Sequence, residues 1–410
     1  MGFNLDSFVA QCHPVDLSIR IPQKEFEERI ERIRSEMKKR QVDVAIAFGN
    51  ELRPGDTGWI TNYDPQIEPT AVVIGPRKVL VLGGPEGKLY AEQSMQVGEF
   101  RCLQELKIPE EDYPGFDFFT LREIFNESCG FQPQTVGLLT CTDIITQAFF
   151  DLIKNTPVQR VDMSDFLLKA RYFKSVNELK CMRVASQIAS YAMEAMIRTI
   201  EPGKRELEIA AVGEFIMKYF GSDRIGVSTI VASGERASSV LGRASNRFIN
   251  EGEMVLLSIS PRYEGLATCV GRSIIVGKPN TDQKEIFQHV HHAYQLSMER
   301  VRYNAPARDA DLVARNYLKK YNLEPLYSQI HNIGWTEAME GYGAATQYSD
   351  FSFPKGIALQ IDIGIFAKPY KSLMAQGVGI RLEDPLCITH EGVTENMSAL
   401  PPDVQYLVNV

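Results

Sequence analysis

Residues 252–273 read GEMVLLSISPRYEGLATCVGRS, and this stretch decides the fold. Two apolar runs, MVLLSISP and the TCVGRS that continues into IIVG, flank a short polar segment, a pattern typical of two strands joined by a turn. Ser258 lies on the first strand, and Cys269 follows eleven positions later on the second. The stretch therefore predicts a hairpin that carries Ser258 and Cys269 on neighbouring strands.

The segment before the hairpin is helical in pattern. RYFKSVNELKCMRVASQIASYAMEAMIRTIEPGKRELEIAAVGEFIMKYF occupies 171–220, and its apolar residues recur at helical spacing. Pro202 and Gly203 interrupt this spacing and predict two helices joined by a turn. After the hairpin we expect helices near 282–302 and 308–322, followed by four strands. Helices grouped against antiparallel strands predict an α+β domain, which we place at 161–410.

The first part of the chain has a different pattern. Phe26, Ile30, Ile33 and Met37 recur at helical spacing among charged residues and predict an amphipathic helix. VDVAIAF, TAVVIG and KVLVLGG predict strands, the last two joined by a turn at 76–77. Strands that alternate with helices predict an N-terminal α/β domain, which we place at 1–160.

Composition and charge exclude several classes of protein. The 410 residues carry a net charge of −8 with both signs scattered, so no basic stripe is available for nucleic acid. No run of about 18 apolar residues is present, which excludes a membrane-spanning helix. The start, MGFNLDSFVAQ, lacks the basic and apolar regions of a signal peptide. Seven cysteines without a CxxC pair indicate reduced thiols, so we expect a cytoplasmic protein.

Six segments, in chain order, resemble the creatinase/prolidase group of pita-bread proteins, a fold that methionine aminopeptidase shares. They are RYFKSVNELKCMRVAS, IEPGKRELEIAA, the RYEG and GRS of the hairpin, QIHNIG, GIALQIDIGIF and GVGIRLEDPLCIT. The resemblance covers nearly the whole chain. It implies a creatinase-like N-terminal α/β domain followed by a pita-bread domain of the catalytic type. Because a fold does not decide a function, each site position has to be compared.

The resemblance also implies the position of a site. Metal-dependent members hold two metal ions with two aspartates, one histidine and two glutamates. The matching positions here are Ser258, Cys269, His331, Asp362 and Glu383. A serine hydroxyl is a weak ligand, and two carboxylates that would offset the charge of two ions are missing. We therefore expect no dinuclear metal centre.

Cys269 leaves three alternatives open. It could be a small buried side chain without chemistry. It could complete a tetrahedral zinc site with His331, Asp362 and Glu383. It could instead be a nucleophile that His331 and Asp362 activate against an amide or amidine carbon. His331 is the strongest single candidate, as a general acid or base beside Asp362 or Glu383.

Other positions of the family pocket differ as well. The acid–base histidine of creatinase matches Leu241, a second peptidase histidine matches Ala338, and a creatinase glutamate matches Gly271. The aromatic and acidic residues that remain would suit a cationic ligand. For Glu337, Glu340 and Tyr342, the alternative is that they lie in a solvated loop. The predicted substrate-binding residues are Ser258, Glu68, Trp335, Glu337, Glu340 and Tyr342.

The interpretation that follows is a metal-independent, creatinase-like hydrolase or lyase. It would act on a C–N bond of a small polar nitrogen compound, with no metal and no cofactor. Its predicted catalytic residues are His331, Asp362, Glu383 and Cys269. The first alternative is a catalytically inactive pita-bread binding protein, and the second is a divergent single-metal peptidase of the Xaa-Pro type. By resemblance we expect a homodimer.

Overall fold

The computed structural model describes residues 3–336 and 342–401, which divide into two compact units. The N-terminal unit is Ile21–Arg171, and the C-terminal unit comprises residues 3–20 together with 172–401. In the described parts the helices are α1 (Leu5–Gln11), α2 (Gln23–Arg40), α3 (Gly55–Thr61), α4 (Lys88–Ser94), α5 (Leu121–Cys129), α6 (Gln147–Asn155), α7 (Ser164–Tyr172), α8 (Val176–Thr199), α9 (Glu206–Tyr219), α10 (Thr281–Met298) and α11 (Ala307–Lys319). The strands are β1 (Val44–Gly49), β2 (Thr70–Ile74), β3 (Val79–Gly83), β4 (Glu99–Leu103), β5 (Phe118–Phe119), β6 (Thr135–Leu138), β7 (Gln159–Asp162), β8 (Arg224–Ile225), β9 (Ile230–Ser233), β10 (Met254–Ile259), β11 (Pro261–Tyr263), β12 (Leu266–Ala267), β13 (Val270–Ile275), β14 (Ile330–Asn332), β15 (Ile357–Phe366), β16 (Gly379–Ile388) and β17 (Thr394–Asn396).

The N-terminal unit is built on a mixed sheet in the order β5-β4-β3-β2-β1-β6-β7. β1 pairs antiparallel with β2 and parallel with β6, so the predicted alternation of strands and helices is confirmed. The predicted amphipathic helix is α2, whose Phe26, Ile30, Ile33 and Met37 are buried. Gln41, which follows the last helical residue, takes a left-handed conformation, and this ends the helix.

The C-terminal unit contains a second large sheet, in the order β14-β15-β16-β13-β10-β9, with β17 added on β16. α8 begins at a capping box of Ser175 and Glu178, and the break predicted at Pro202–Gly203 separates it from α9. The predicted hairpin is β10 with β13, and its strands pair antiparallel over six positions. The α+β class and the pita-bread resemblance both fit this arrangement.

Strands β15 and β16 form the longest pairing among the described residues. They run antiparallel over ten positions, from Ile357 opposite Ile388 to Phe366 opposite Gly379. Alternate residues of both strands enter one continuous apolar core with α10 and α11. This burial fixes the register, because a shift by one residue would turn the apolar side chains away from the core.

Residues 3–20 lie against the C-terminal unit although they begin the described chain. Phe8 of α1 is buried, the hydroxyl of Tyr263 donates to the Ile19 carbonyl at 3.0 Å, and Tyr191 donates to the His13 carbonyl at 3.2 Å. The C-terminal unit is therefore assembled from two separate parts of the sequence.

None of the described helices combines the length and the apolar character that a membrane crossing needs.

Candidate functional site

Three adjacent strands bring the predicted site residues together. His331 of β14 lies opposite Gln360 of β15, and Asp362, two positions further along β15, lies directly opposite Glu383 of β16. Residues that oppose each other in an antiparallel pair point to the same face of the sheet. As a result, one donor atom from each of His331, Asp362 and Glu383 lies within 4.8 Å of the other two.

The β10–β13 hairpin places its two residues beside the same carboxylate. Ser258 Oγ lies 3.0 Å from Cys269 Sγ, and each of these atoms lies 3.4 Å from Glu383 Oε2. All three residues are buried, with at most 5% of each exposed. Where the metal-dependent relatives were expected to have two carboxylates, this chain therefore has two neutral groups that hydrogen-bond a third carboxylate.

Gly271 provides the space for this arrangement. It lies opposite both Ser258 and Glu383, at the centre of the sheet face. A Cβ atom there would lie 2.7 Å from Arg381 Cδ, 2.7 Å from Glu383 Oε2 and 2.8 Å from Glu383 Cβ. Any larger side chain would therefore displace Arg381, Glu383 or both.

Arg381 supplies a positive charge to the site. Its Nε lies 3.2 Å from Asp362 Oδ1 and 3.9 Å from Glu383 Oε2, and its side chain is only 6% exposed. The approach to Asp362 does not have hydrogen-bond geometry, so Asp362 Oδ1 and Arg381 Nε are buried without a hydrogen-bond partner among the described residues. Burial opposes the charge on Arg381, but Asp362, Tyr327 and Glu383 outweigh it and raise the pKa of the guanidinium.

These residues form one side of a cavity of about 250 Å³. The polar side carries the groups described above, together with Tyr327 and Ser328. The remaining lining residues are apolar, and one of them, Leu241, is 72% exposed. The apolar lining residues are Val227, Ile230, Val240 and Leu241. A small ligand with one apolar and one polar end would fit such a cavity.

The structure places the other predicted binding residues less directly. Trp335 is fully buried and donates its indole N–H to Glu178 Oε1 at 2.7 Å, at the start of α8. Tyr342 is 42% exposed and its ring lies edge-on to Tyr172. Neither Trp335 nor Tyr342 lines the cavity, and substrate binding by them remains a prediction.

The remaining predicted acidic residues do not line the cavity or fall outside the described residues. Glu68 belongs to the N-terminal unit, where its Oε2 accepts the Gly87 N–H at 2.8 Å and burial raises the pKa of its carboxyl. Glu337 and Glu340, like Ala338, fall outside the described residues. The roles predicted for all of these acidic residues remain predictions.

Sequence reasoning missed Arg381 and Tyr327. Arg381 stands in the GVGIRLEDPLCIT segment two positions before Glu383, so its place on the same strand face was available from the period of two. Tyr327 precedes β14 in a segment without periodicity, and only the folded chain brings it to the cavity. Burial, and next the charge of Asp362, raise the pKa of its hydroxyl well above the ordinary value.

The donor set suits one divalent ion better than two. His331, Asp362 and Glu383 offer one nitrogen and two carboxylates, which matches the three protein ligands and open position of many catalytic zinc sites. Asp362 Oδ1, buried and without a hydrogen-bond partner in the described chain, is available to an ion. Arg381 already offsets one of the two carboxylate charges, so a second divalent ion would lack compensating charge.

Comparison with known proteins identifies the family. Residues 180–390 match the model of metallopeptidase family M24, which is just over half of the chain. This chain therefore belongs to metallopeptidase family M24. An Xaa-Pro dipeptidase from Pyrococcus furiosus is 27% identical over 317 residues, 76% of this chain and 85% of that protein. One from Pyrococcus horikoshii is 31% identical over 232 residues, 56% of this chain and 64% of that protein.

A solved structure gives the same picture. An Xaa-Pro dipeptidase from Bacillus anthracis superposes with a TM-score of 0.76 at 25% identity, and the match covers 94% of this chain and all of that one. The resemblance to prolidases and the pita-bread fold are thereby confirmed. The matched proteins are hydrolytic enzymes by name, which supports an enzyme of the hydrolase class here.

The comparisons also correct the functional interpretation. The expected metal-independent, creatinase-like hydrolase or lyase is wrong, because the matched family is one of metallopeptidases and the relatives are named Xaa-Pro dipeptidases. The interpretation gave too much weight to Ser258 and Cys269. It gave too little weight to the three remaining donors, which converge without them.

Proposed function

We propose that this chain is an Xaa-Pro-type peptidase that works with a single divalent metal ion. The observation that supports this most directly is the convergence of His331, Asp362 and Glu383 within 4.8 Å on one wall of the cavity. The names of the matched relatives support the substrate class.

Different residues of the site would bind the metal ion and orient its ligands. The ion, when bound, would polarise the scissile carbonyl and activate a water molecule. Arg381 would orient Asp362, because its guanidinium is buried beside that carboxylate. Ser258 and Cys269 would fix Glu383 through the contacts to its Oε2.

The two sides of the cavity would orient the substrate. The apolar residues Val227, Val240 and Leu241 would receive the proline ring, and the peptide bond would then face the polar side. Burying the ring removes apolar surface from water, which contributes about 25 cal/mol for each Å² buried.

The test combines metal analysis with turnover. Tag-free protein would be analysed for bound metal by mass spectrometry and assayed on Xaa-Pro dipeptides, with the same residues joined to glycine as comparison substrates. We expect one ion per chain and cleavage of Xaa-Pro. Bound metal and Xaa-Pro cleavage should both be lost in the variants His331→Ala, Asp362→Asn and Glu383→Gln. The control His292→Ala changes an exposed residue and should retain both properties. Turnover that persists in all three site variants would exclude the proposal.

A second candidate is a binding protein without catalysis, and the replacement of two carboxylates by Ser258 and Cys269 favours it. This alternative predicts that Xaa-Pro dipeptides bind to the protein, in calorimetry, without being cleaved even when metal is present. Cleavage that depends on His331 would eliminate it.

A further inference from the structure

Cys269 lies where a fourth metal ligand would be needed. Its Sγ is 3.4 Å from Glu383 Oε2, and it lines the same cavity as His331 and Asp362. With Zn–S near 2.3 Å and Zn–O near 2.0 Å, two ligands of one tetrahedral ion lie about 3.5 Å apart. The hydrogen-bonded separation of 3.4 Å is thus also close to that of a sulfur and an oxygen that share one ion.

We propose that Cys269 is a thiolate ligand of the metal centre and makes the centre selective for zinc-like ions over manganese. This inference rests on the proposed single-metal function and adds the identity of the ion. The group of donors within 4.8 Å contains His331, Asp362 and Glu383 but not Cys269, so the sulfur must turn toward the ion as it binds. Rotation about the single side-chain torsion of cysteine provides that movement.

A second observation points to a ligand at the same place. Asp362 Oδ1 is buried and forms an ion pair with Arg381 Nε at 3.2 Å, but it has no hydrogen-bond partner in the described part of the chain, and the residue lines the cavity. A buried carboxylate oxygen that accepts no hydrogen bond keeps lone pairs for a further cation. Asp362 and Cys269 would thus complete one coordination sphere from opposite hairpins.

Ser258 has a supporting part in this arrangement. Its Oγ is 3.0 Å from Cys269 Sγ, close enough for its O–H to donate to the sulfur once the thiol proton has gone. For the sulfur to serve as a ligand, the Cys269 thiol would have to give up its proton to solvent, because a thiolate and not a thiol binds metal. No electron is gained or lost by the protein.

The chemistry of sulfur determines the selectivity. Thiolate is a soft ligand that favours zinc-like ions, whereas carboxylate and water suit manganese and magnesium. Replacing a carboxylate position by Cys269 would therefore shift the preference of the site away from manganese. Peptidase activity alone would not reveal this, but the spectrum of a bound ion would.

The first test uses cobalt as a probe. Protein stripped by a chelator would be titrated with Co²⁺ in the presence of a phosphine reductant, and its absorption spectrum recorded. We expect visible bands from the bound ion together with a near-ultraviolet sulfur-to-cobalt charge-transfer band. Cys269→Ser should keep the visible bands and lose the near-ultraviolet band. Cys141→Ser, which keeps the Cys269 thiol, should retain both.

The outcomes separate this inference from the function on which it rests. Visible bands without any charge-transfer band in the unmodified protein would overturn the sulfur ligand and leave the single-metal centre standing. A protein that binds no cobalt would refute both. A charge-transfer band that survives in Cys269→Ser would assign it to another cysteine and equally overturn the proposal.

Competition between ions provides an independent measurement. In the unmodified protein Zn²⁺ should displace Mn²⁺, and in Cys269→Asp the ratio of the two affinities should shift toward Mn²⁺ by ~10-fold or more, the size of effect seen when groups around a metal change. An unchanged ratio would contradict the proposal, since the aspartate replaces the soft ligand by a hard one.

Discussion

The two hairpins of the C-terminal sheet carry different chemistry on similar backbones. In β15–β16, Asp362 and Glu383 face each other at the middle of a ten-residue pairing and offer two carboxylates. In β10–β13, Ser258 lies opposite Gly271 within a regular six-residue pairing, and Cys269 stands just before β13. The backbone register is regular in both hairpins, whereas only one retains acidic ligands.

The difference teaches that register and ligand chemistry are specified separately. Strand pairing depends on backbone hydrogen bonds and on the buried apolar residues that alternate with the site residues. Exchanging a carboxylate for a serine or cysteine on the site face leaves that pattern intact. A sequence can therefore keep this fold while the set of possible ligands on the site face changes.

Restoring the second hairpin should give the largest effect. The double variant Ser258→Asp, Cys269→Asp would return two carboxylates beside Glu383, enough to offset the charge of another divalent ion. We expect the metal content measured by mass spectrometry to rise from one to two ions per chain. The single variant Ser258→Asn, which adds bulk without charge, is the control. A double variant that still holds one ion would show that the charge of Arg381 prevents the second site.

The contact between the two hairpins should be the most sensitive to loss of a charge. Arg272 of β13 donates to Asp384 of β16 at 2.8 Å, Tyr294 donates to the same carboxylate at 2.9 Å, and Asp384 is fully buried. Asp384→Ala would leave a buried guanidinium without its counter-charge, so we expect a loss of about 3–5 kcal/mol in unfolding free energy. Chemical denaturation measures it. Glu299→Gln, on the exposed end of α10, should change little.

Gly271 should show how closely the two hairpins pack. Gly271→Ala would place a Cβ 2.7 Å from both Arg381 Cδ and Glu383 Oε2. Crowding of a packed interior costs about 1–3 kcal/mol. We expect this loss in thermal unfolding together with weaker metal binding, because Glu383 has to move. Gly377→Ala meets no atom within 4 Å and serves as the control. Equal effects of both substitutions would refute the steric explanation.

The smallest effect concerns pH and the connection between β15 and β16. His289 of α10 contacts the hydroxyls of Tyr317 at 2.8 Å and of Tyr370, in that connection, at 3.2 Å. Burial, only partly opposed by Glu285, lowers the pKa of His289 below its ordinary value of 6.5. The unfolded chain therefore binds the proton more readily, and stability should fall as the pH drops through about 6.5.

Three ionisable neighbours also affect the pKa of His289. Glu285 raises it, whereas Lys371 and His292 lower it further. We expect the loss between pH 7.5 and 5.5 to stay below ~1 kcal/mol, since one pKa unit corresponds to ~1.4 kcal/mol. His289→Gln keeps polar contacts but does not titrate, so its stability should be flatter over this range. Parallel pH profiles for the two proteins would contradict the assignment.

Much of the fold could be predicted from the sequence. The helix break at Pro202–Gly203, the turn at 76–77 and the four final strands follow from local patterns, and all are present. The side-chain contact between Ser258 and Cys269 could also be predicted, because a hairpin brings residues on its two strands close together. Patterns of this kind depend on neighbouring residues, and the structure confirms them.

The features that could not be predicted from local sequence patterns depend on contacts between distant segments. The burial of Arg381 between Asp362 and Glu383 depends on the space that Gly271 leaves, and no local pattern contains that information. The convergence of three donors likewise depends on the order β14-β15-β16 within the sheet. The metal-independent interpretation counted the lost ligands one by one, whereas the geometry shows what the remaining ones form together.

The N-terminal segment gives the C-terminal unit an order of assembly. Ile19 and Tyr263, which are hydrogen-bonded in the folded chain, are 244 positions apart. During synthesis the first 20 residues leave the ribosome long before the surface that receives Phe8 exists, while Ile21–Arg171 can already fold on its own sheet. The C-terminal unit would then complete its folding last, when residues 3–20 bind to the part of the unit that contains Tyr263. Removing residues 3–20 should therefore expose apolar surface in the C-terminal unit and leave the core of the N-terminal unit unchanged.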